Sequence, residues 1–347
     1  MSDQRTTPAA AEPGPDRVLG IAEGFWAAKT LMSAVELRLF SVLAREGPLD
    51  SDTLRDRLGL HPRSARDFFD ALVALGMLER RDGRYANTRE TDLYLDDAKP
   101  SYVGGFIEMM SARIYPSFAL LTDALRSGKP QNEEARSGNA DFFGELYSDP
   151  ERLRLFLRSM TGVSLAAARG IAREFPWREH RTFFDVGTAQ GGLPVQVALA
   201  HPHLTGGGFD LPQVRPVFEE YVASFGLQDR LRFAAGSFFE DPLPEADVIV
   251  LGHILHDWDL DEKRMLLRKA YQALPRGGAV VVCDRIIDDE RRSHANGLLL
   301  SLVMLIETPG GFDYTGAECR EWMREAGFRE SRVVPLDVRE SMVVGVK

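Results

Sequence analysis

Apolar residues between positions 17 and 46 recur at helical spacing, as at Leu31, Val35, Leu39 and Leu43, with Glu36, Arg38 and Arg45 between them. This pattern predicts one amphipathic helix. A compact unit follows. Asp50-Ser51-Asp52 offers helix caps before Leu54 and Leu58, and Gly59 supplies a stop. Pro62 or Ser64 opens a second helix carrying Phe68, Leu72, Val73 and Leu75, closed by Gly76. Residues 77–81, the Asp82-Gly83 turn and residues 84–86 predict a short hairpin. Two short helices and a hairpin are the skeleton of a winged helix.

Residues 100–172 read as wholly helical, with an aromatic and methionine stripe at Phe106, Met109, Met110, Ile114, Tyr115 and Phe118. Phe142, Phe143, Leu146 and Tyr147 continue it. Such a stripe serves either as core or as the wall of a pocket for a small aromatic molecule. After Arg181 the texture changes. Apolar runs at 182–187, 204–211, 231–236, 246–252 and 279–287 read as strands, with helical patterns at 191–201, 212–226 and 261–274 between them. That alternation predicts an α/β domain with a parallel sheet and helices on both faces. Residues 332–335 and 341–346 read as two close strands able to pair as a hairpin. The expected organisation is a disordered tail at 1–15, a winged-helix domain at 16–100, a helical linker contributing to a pocket at 101–172, and an α/β domain at 173–347.

A length of 347 residues fits two domains, and 44% apolar with 27% charged residues is globular composition. The net charge is 42 − 52 = −10, which argues against nucleic-acid or anionic-membrane partners. Arg63, Arg66, Arg80, Arg81 and Arg84 of the winged helix would be its DNA contacts, but Asp52, Asp56, Asp67, Asp70 and Asp82 offset them. The wing is therefore expected to be structural. Cys283 and Cys319 are too few for a disulfide framework or a thiolate zinc site. The start is polar, without the apolar stretch of a signal peptide, and no window holds 18 uninterrupted apolar residues. A soluble, cytoplasmic protein is the expectation.

The first chemical motif is Phe183-Phe184-Asp185-Val186-Gly187-Thr188-Ala189-Gln190-Gly191-Gly192, a strand entering a glycine turn and then a helix. Glycines there let a ligand approach the backbone at the carboxyl ends of the strands. A dinucleotide site favours G-x-G-x-x-G, whereas this turn is G-x-A-x-G-G. Asp185, two positions before the first glycine, would repel pyrophosphate and attract an amino-acid ammonium. S-adenosylmethionine is thus favoured over NAD as the cofactor. Asp210 ends the next strand, where a carboxylate can accept ribose hydroxyls or merely cap the following helix. Gly236-Ser237-Phe238-Phe239 follows the third strand, and there a polar residue and an aromatic can hold and cover adenine or pack as core.

The fourth strand ends in Gly252-His253-Ile254-Leu255-His256-Asp257-Trp258. Together with the glycine turn, this segment resembles the class I small-molecule O-methyltransferases typified by plant caffeic acid and bacterial natural-product enzymes. Further matching segments are Gly24-Phe25-Trp26, Ala273-Leu274-Pro275-Arg276-Gly277-Gly278, Met304 through Gly311, and Trp322-Met323-Arg324-Glu325-Ala326-Gly327-Phe328. The resemblance covers nearly the whole chain. It implies a homodimer joined through the N-terminal domain, and a Rossmann-like methyltransferase domain binding S-adenosyl-L-methionine. It also implies His256 as the general base, with Asp284 and Asp313 where the plant enzymes carry two catalytic-site glutamates. Both are one methylene shorter here. The cofactor site would comprise Asp185, Gly187, Gly191, Asp210, Leu211, Ser237, Phe238 and Gly252. Ser237 stands where an aspartate commonly holds adenine, and Gly252 where the plant enzymes carry a lysine.

A phenol near pKa 10 and an imidazole near 6.5 are separated by about 3.5 pH units, or roughly 5 kcal/mol. A carboxylate stabilising the imidazolium would narrow that gap. The expected reaction is methylation of a phenolic hydroxyl on a small aromatic or heteroaromatic secondary metabolite. Carbon methylation of an electron-rich ring, such as an indole or activated phenol, and nitrogen methylation use the same cofactor chemistry. A winged-helix ligand-sensing regulator and a nicotinamide oxidoreductase are the readings from other classes. No metal is expected, since His253 and His256 lack an evident third ligand, Asp257 is expected to point elsewhere, and His201-Pro202-His203 is incomplete.

Overall fold

Five strands of the second half are apolar enough to be covered on both faces, and they build a parallel sheet. These are β4 (Thr182–Val186), β5 (Thr205–Asp210), β6 (Leu231–Ala235), β7 (Val248–Gly252) and β8 (Ala279–Asp284). Three earlier short strands, β1 (Leu49–Asp50), β2 (Leu78–Arg81) and β3 (Arg84–Asn87), form a separate antiparallel sheet in the order β1-β3-β2. The computed structural model describes residues 14–99, 101–137, 147 and 149–347. The chain divides into two units, Met1–Gly104 and Gly105–Lys347.

In the first unit the helix expected over 17–46 is two helices, Asp16–Glu36 and Leu39–Glu46. Arg38 adopts a left-handed φ of 58° between them. The break follows from burial: the first helix buries only Ala34 and Val35, whereas the second buries Leu39, Phe40, Val42 and Leu43 and must turn to do so. Asp50 caps helix Ser51–Leu58 by accepting the Thr53 N–H at 2.9 Å, and Gly59 ends it at a φ of 63°. Helix Pro62–Ala74 and the β2–β3 hairpin complete the winged helix. Three of its arginines are held by neighbouring acids: Arg66 and Arg80 by Asp70 at 3.8 and 2.5 Å, and Arg81 by Glu79 at 2.7 Å. Helix Asp16–Glu36 exposes Val18, Leu19, Ile21, Phe25 and Trp26. It is also long and apolar enough to cross a bilayer by composition, although Glu23 and Lys29 interrupt it.

The second unit holds a seven-stranded sheet in the order β6-β5-β4-β7-β8-β10-β9. The hairpin of β9 (Glu330–Pro335) and β10 (Ser341–Val346) joins β8 antiparallel, so the sheet is mixed rather than wholly parallel. Side chains alternate between two cores. Phe183, Val248, Val250 and Val281 face Leu157, Ile171, Val195 and Phe218 on one side. Phe184, Ile249, Leu251, Val280 and Val282 face Leu266, Leu267, Ala270 and Trp322 on the other. The strand order reverses between β4 and β7, and ligands of open α/β sheets bind at the carboxyl ends beside such a switch. The helices between Gly105 and Glu174 belong to this unit. Phe106, Met109, Met110, Ile114, Tyr115 and Phe118 are all half-buried there, and residues Met110–Ile114 form a single π-helical turn. Phe142, Phe143 and Leu146 lie outside the described residues, while Tyr147 packs against the first core.

β5 carries three consecutive glycines because its neighbours leave no room for side chains. A Cβ on Gly207 would lie 1.8 Å from the Arg232 carbonyl oxygen, and one on Gly206 would lie 2.1 Å from that of Phe183. These are backbone atoms of paired strands and cannot swing aside. We expect Gly207→Ala to destabilise the second unit by about 3 kcal/mol, the upper range for overpacking, read as a lower midpoint in urea unfolding. An unchanged midpoint would mean that β5 and β6 are not packed this closely.

Candidate functional site

The first half of the site is built at the ends of β4 and β5. After β4 the chain turns on Gly187 and Gly191, whose φ values of 72° and 92° suit glycine. Both also need to be small: a Cβ on Gly187 would come within 2.2 Å of Ile254, and one on Gly191 within 2.8 Å of Phe218. Asp185 is buried beneath this turn. Burial pushes its carboxyl up to about 7, with the Thr188 hydroxyl pulling the other way. Asp210 is also buried and accepts two backbone N–H groups, from Ala189 at 2.9 Å and Leu211 at 2.8 Å. Burial still dominates there and raises its carboxyl to about 6. Two acids buried beside each other without a cation are poorly placed alone, and a bound ammonium or sulfonium would relieve both. The donor set therefore fits S-adenosylmethionine.

Three more of the expected cofactor residues follow β6 and end β7. Ser237 is half-buried, donates its N–H to Asp241 at 2.8 Å and accepts the Phe239 N–H on its hydroxyl. Asp241 thus places a carboxylate beside Ser237, four residues on, although the commonly acidic position itself is a serine. Phe238 lies half-buried with its ring centroid 5.7 Å from that of Trp258, while Phe239 is exposed. Gly252 ends β7 facing open space, with nothing within 4 Å of where a Cβ would stand.

The second half of the site lies one strand over. His256 sits in a short helical turn, Leu255–Asp257, directly after β7. Asp284 is the last residue of β8. Asp313 follows helix Ala295–Glu307, with its N–H donated to Ser301 Oγ at 3.1 Å. The loop before Asp313 crosses the histidine turn so closely that a Cβ on Gly311 would meet the His256 and Asp257 carbonyl oxygens at 2.6 and 2.7 Å. This crossing brings Asp313 into reach. His256 Nδ1 lies 3.3 Å from Asp313 Oδ1, within hydrogen-bond distance, and 3.9 Å from Asp284 Oδ1, close enough for a through-space attraction only.

Asp257 does not point away, as expected from sequence; its Oδ1 lies 3.5 Å from His256 Nε2. Burial alone would push the imidazole down. Asp257, Asp284 and Asp313 outweigh that burial and hold His256 up at about 10. The gap between imidazole and phenol is thereby closed. Asp284 is in turn raised by burial to about 6, against the pull of His256, His253 and the Tyr314 hydroxyl, which donates to its Oδ2.

Further participants lie around this turn: His253, weighed in sequence only as a metal ligand, and Lys263 and Tyr314, which carried no legible signal there. His253, at a left-handed φ of 55°, places Nε2 3.2 Å from Glu340 Oε2 just before β10. Lys263 lies fully buried under the same turn. Tyr314 was hidden because only its position after Asp313 would have marked it. Among the described residues, His253, His256 and Asp284 each bring a potential ligand atom within 4.8 Å of the others. That spread is loose for nitrogen and oxygen ligands about 2.1 Å from one ion, and both histidines already face carboxylates. An open groove of about 470 Å³ between the end of β8 and the β9–β10 hairpin, lined by Ile287, Asp288, His294 and Arg339, contains none of the expected site residues.

The sequence matches the O-methyltransferase domain family over residues 118–329 and the O-methyltransferase dimerisation domain over residues 19–97. The chain belongs to the O-methyltransferase family. This methyltransferase is 44% identical over 342 residues to the tetracenomycin polyketide synthesis 8-O-methyl transferase TcmO of Streptomyces glaucescens, covering 98% of this chain and 99% of that protein. It is 36% identical to the N,N-dimethyltransferase OxyT of Streptomyces rimosus, over 99% of both chains. Human N-acetylserotonin methyltransferase, solved in complex with S-adenosylmethionine, superposes with a TM-score of 0.88 at 27% identity, covering 98% of this chain and 99% of that one. The enzyme is an S-adenosylmethionine-dependent methyltransferase with an α/β catalytic domain and an N-terminal helical dimerisation domain.

The carboxylate ring around His256 has a spectroscopic consequence. In protein carrying ¹⁵N-labelled histidine, one ring should remain imidazolium through pH 8, well above the ordinary value near 6.5. Asp313→Asn, which removes one of the charges that raise it, should bring that titration down. A His256 ring that titrates near 6.5 in the parent protein would contradict this electrostatic picture.

Proposed function

We propose that this enzyme methylates a phenolic hydroxyl of a small aromatic natural product of polyketide type, and that His256 takes the acceptor's proton. The observation that carries the reading is the buried His256 with Asp313, Asp284 and Asp257 at 3.3, 3.9 and 3.5 Å. Whole-length similarity to a polyketide 8-O-methyl transferase supports the acceptor class. Bound S-adenosylmethionine supplies an electrophilic methyl group, and its displacement is accelerated by alignment in a dry site.

The chain's own residues do the rest. Asp185 sits beneath the glycine turn to receive the cofactor's ammonium, and Asp210 to accept ribose hydroxyls. Phe238 covers the adenine edge beside Ser237. Gly252 leaves the space above β7 open for the cofactor. At the acceptor side, His256 Nε2 or Nδ1 carries the proton that leaves the hydroxyl, and the three aspartates stabilise the imidazolium so formed. Because they raise His256 to about 10, near the reference value of a phenol, the ring is mostly imidazolium at neutral pH; its neutral form takes the acceptor's proton in a transfer that is close to balanced. The half-buried stripe from Phe106 to Phe118 offers the acceptor an apolar wall.

Two subunits are part of the proposal. The exposed apolar row on helix Asp16–Glu36, from Val18 to Trp26, lies within the segment that matches the dimerisation domain. Covering it with a second copy accounts for that row without invoking a membrane. Nitrogen methylation is the second reading, favoured by the similarity to OxyT. An amine acceptor also has to lose a proton, so His256 would serve it in the same way.

Two variants should separate proton transfer from cofactor binding. His256→Ala should keep its melting shift with S-adenosylhomocysteine while turnover at saturating acceptor falls by about 100-fold or more, the usual scale for a lost general base. Asp185→Ala should do the reverse first: the cofactor-induced melting shift shrinks. Wild-type turnover in the histidine variant would remove His256 from the chemistry, and an undiminished shift in the aspartate variant would misplace the cofactor.

A further inference from the structure

The charged run Asp261-Glu262-Lys263-Arg264 lies in the first turns of helix Leu260–Ala273. Its members diverge in the fold. Asp261 is exposed and Arg264 pairs with Glu325 at 2.7 Å, but Lys263 has no exposed surface at all. A buried ammonium is costly unless its surroundings repay the loss of water. Lys263 Nζ donates to the Trp258 carbonyl oxygen, stands 3.6 Å from the centroid of the Phe312 ring and 5.7 Å from that of Tyr314. Its contacts therefore reach both segments that meet at the histidine. Trp258 closes the turn carrying His256 and Asp257, while Phe312 and Tyr314 flank Asp313. Tyr314 in turn donates to Asp284.

The charges agree with the contacts. Burial pushes Lys263 down to about 8, while Asp284, Asp313, Asp257 and Asp259 hold it up through space. In return it favours the ionised form of Asp257. The other titratable groups facing this cluster among the described residues include His256 itself, His253 with Glu340 behind it, Arg285, Tyr314 and Tyr147, and the thiols of Cys283 and Cys319. Glu307, the only titratable residue of helix Ala295–Glu307, pairs with Arg113 instead.

We propose that Lys263 is a positioning residue for methyl transfer: its buried ammonium clamps the His256 turn to the Asp313 segment. The proposal rests on the reading of His256 as proton acceptor. It adds that the histidine and its carboxylates are organised from beneath by a cation that touches neither acceptor nor cofactor. Removing this cation takes away a positive charge that disfavours the imidazolium of His256, so the acidic limb of the pH–rate profile, where that ring gives up its proton, moves upward.

The test uses the full-length enzyme, saturating S-adenosylmethionine, and whichever phenol of a mixed panel is turned over fastest. Lys263→Gln keeps a donor for the Trp258 carbonyl and loses the charge; Lys263→Arg keeps the charge. For the glutamine variant we expect kcat lower by about tenfold or more, with the acidic limb of kcat/KM raised by about half a pH unit or more. S-adenosylhomocysteine affinity should stay within about threefold of the parent, because the cofactor turn is not touched. Lys263→Arg should bring the acidic limb back to that of the parent, since it keeps the charge. Parent-like turnover in the glutamine variant overturns the proposal. So does an equal loss in both variants with the limbs unmoved, which is what a filler of space would give. Should the glutamine variant fail to fold, Lys263→Met, which keeps the length and loses the charge, takes its place, and parent-like turnover in it overturns the proposal. His256→Ala assayed alongside keeps the two readings apart: turnover surviving there defeats the proton-acceptor reading, whereas its loss beside a parent-like Lys263→Gln defeats only the role of Lys263.

Discussion

A histidine packed against three carboxylates in a protein interior is the arrangement on which the rest of the catalytic unit depends. None of the four side chains could be buried alone without a large desolvation cost, and together they convert that cost into a shifted proton affinity. The sheet makes the assembly possible. β7 and β8 run in register with Gly252 opposite Cys283, so His256 leaves the sheet beside Asp284. Ser341 of β10 pairs with Asp284 on the other side, bringing Glu340 up behind His253. Gly311 lets the Asp313 loop close over the top. Stability and chemistry share these residues, because the contacts that bury the cluster also set its protonation.

The same logic links the two halves of the site. Asp185 and Asp210 are acids whose burial favours the neutral form, and they lie at the carboxyl ends of β4 and β5, beside the strand-order switch. His256 is a base whose neighbours favour the charged form. In the proposed reaction one half receives a cation and the other makes one, on either side of the strand-order reversal between β4 and β7. Methyl transfer from a sulfonium to a hydroxyl removes positive charge at the cofactor and deposits a proton at the acceptor side. The distribution of buried charge matches both ends of that displacement.

Much of this was legible before any coordinates. Asp185, Gly187 and Gly191 were readable because a strand, a glycine turn and a helix leave a local signature. His256, Asp284 and Asp313 were readable through resemblance, although the reach of two shortened acids was not. The reach of Asp313 depends on Gly311 crossing the histidine turn, a contact between residues 55 positions apart in which a glycine has no advance signature. Asp257 was misjudged because the turn after β7 is a tight helical one that brings its carboxylate back to His256. Lys263 was hidden by its neighbours, since three of the four charges in its run do stay near solvent. In the N-terminal unit the break at Arg38 went unseen because no glycine or proline marks it; the burial of Leu39 through Leu43 imposes it from outside the helix. β1 escaped because two residues carry no periodicity.

The central claim is that this enzyme transfers methyl to a phenolic oxygen through His256, and the product reports on it most directly. The enzyme would be incubated with methyl-deuterated S-adenosylmethionine and a mixed panel of aromatic polyketide phenols, indoles and arylamines, and the label located by fragmentation in mass spectrometry. The account predicts deuterated methyl on a phenolic oxygen, formed by the parent enzyme and lost with His256→Ala. Label confined to nitrogen or carbon, or oxygen-methylated product undiminished in the histidine variant, would contradict it.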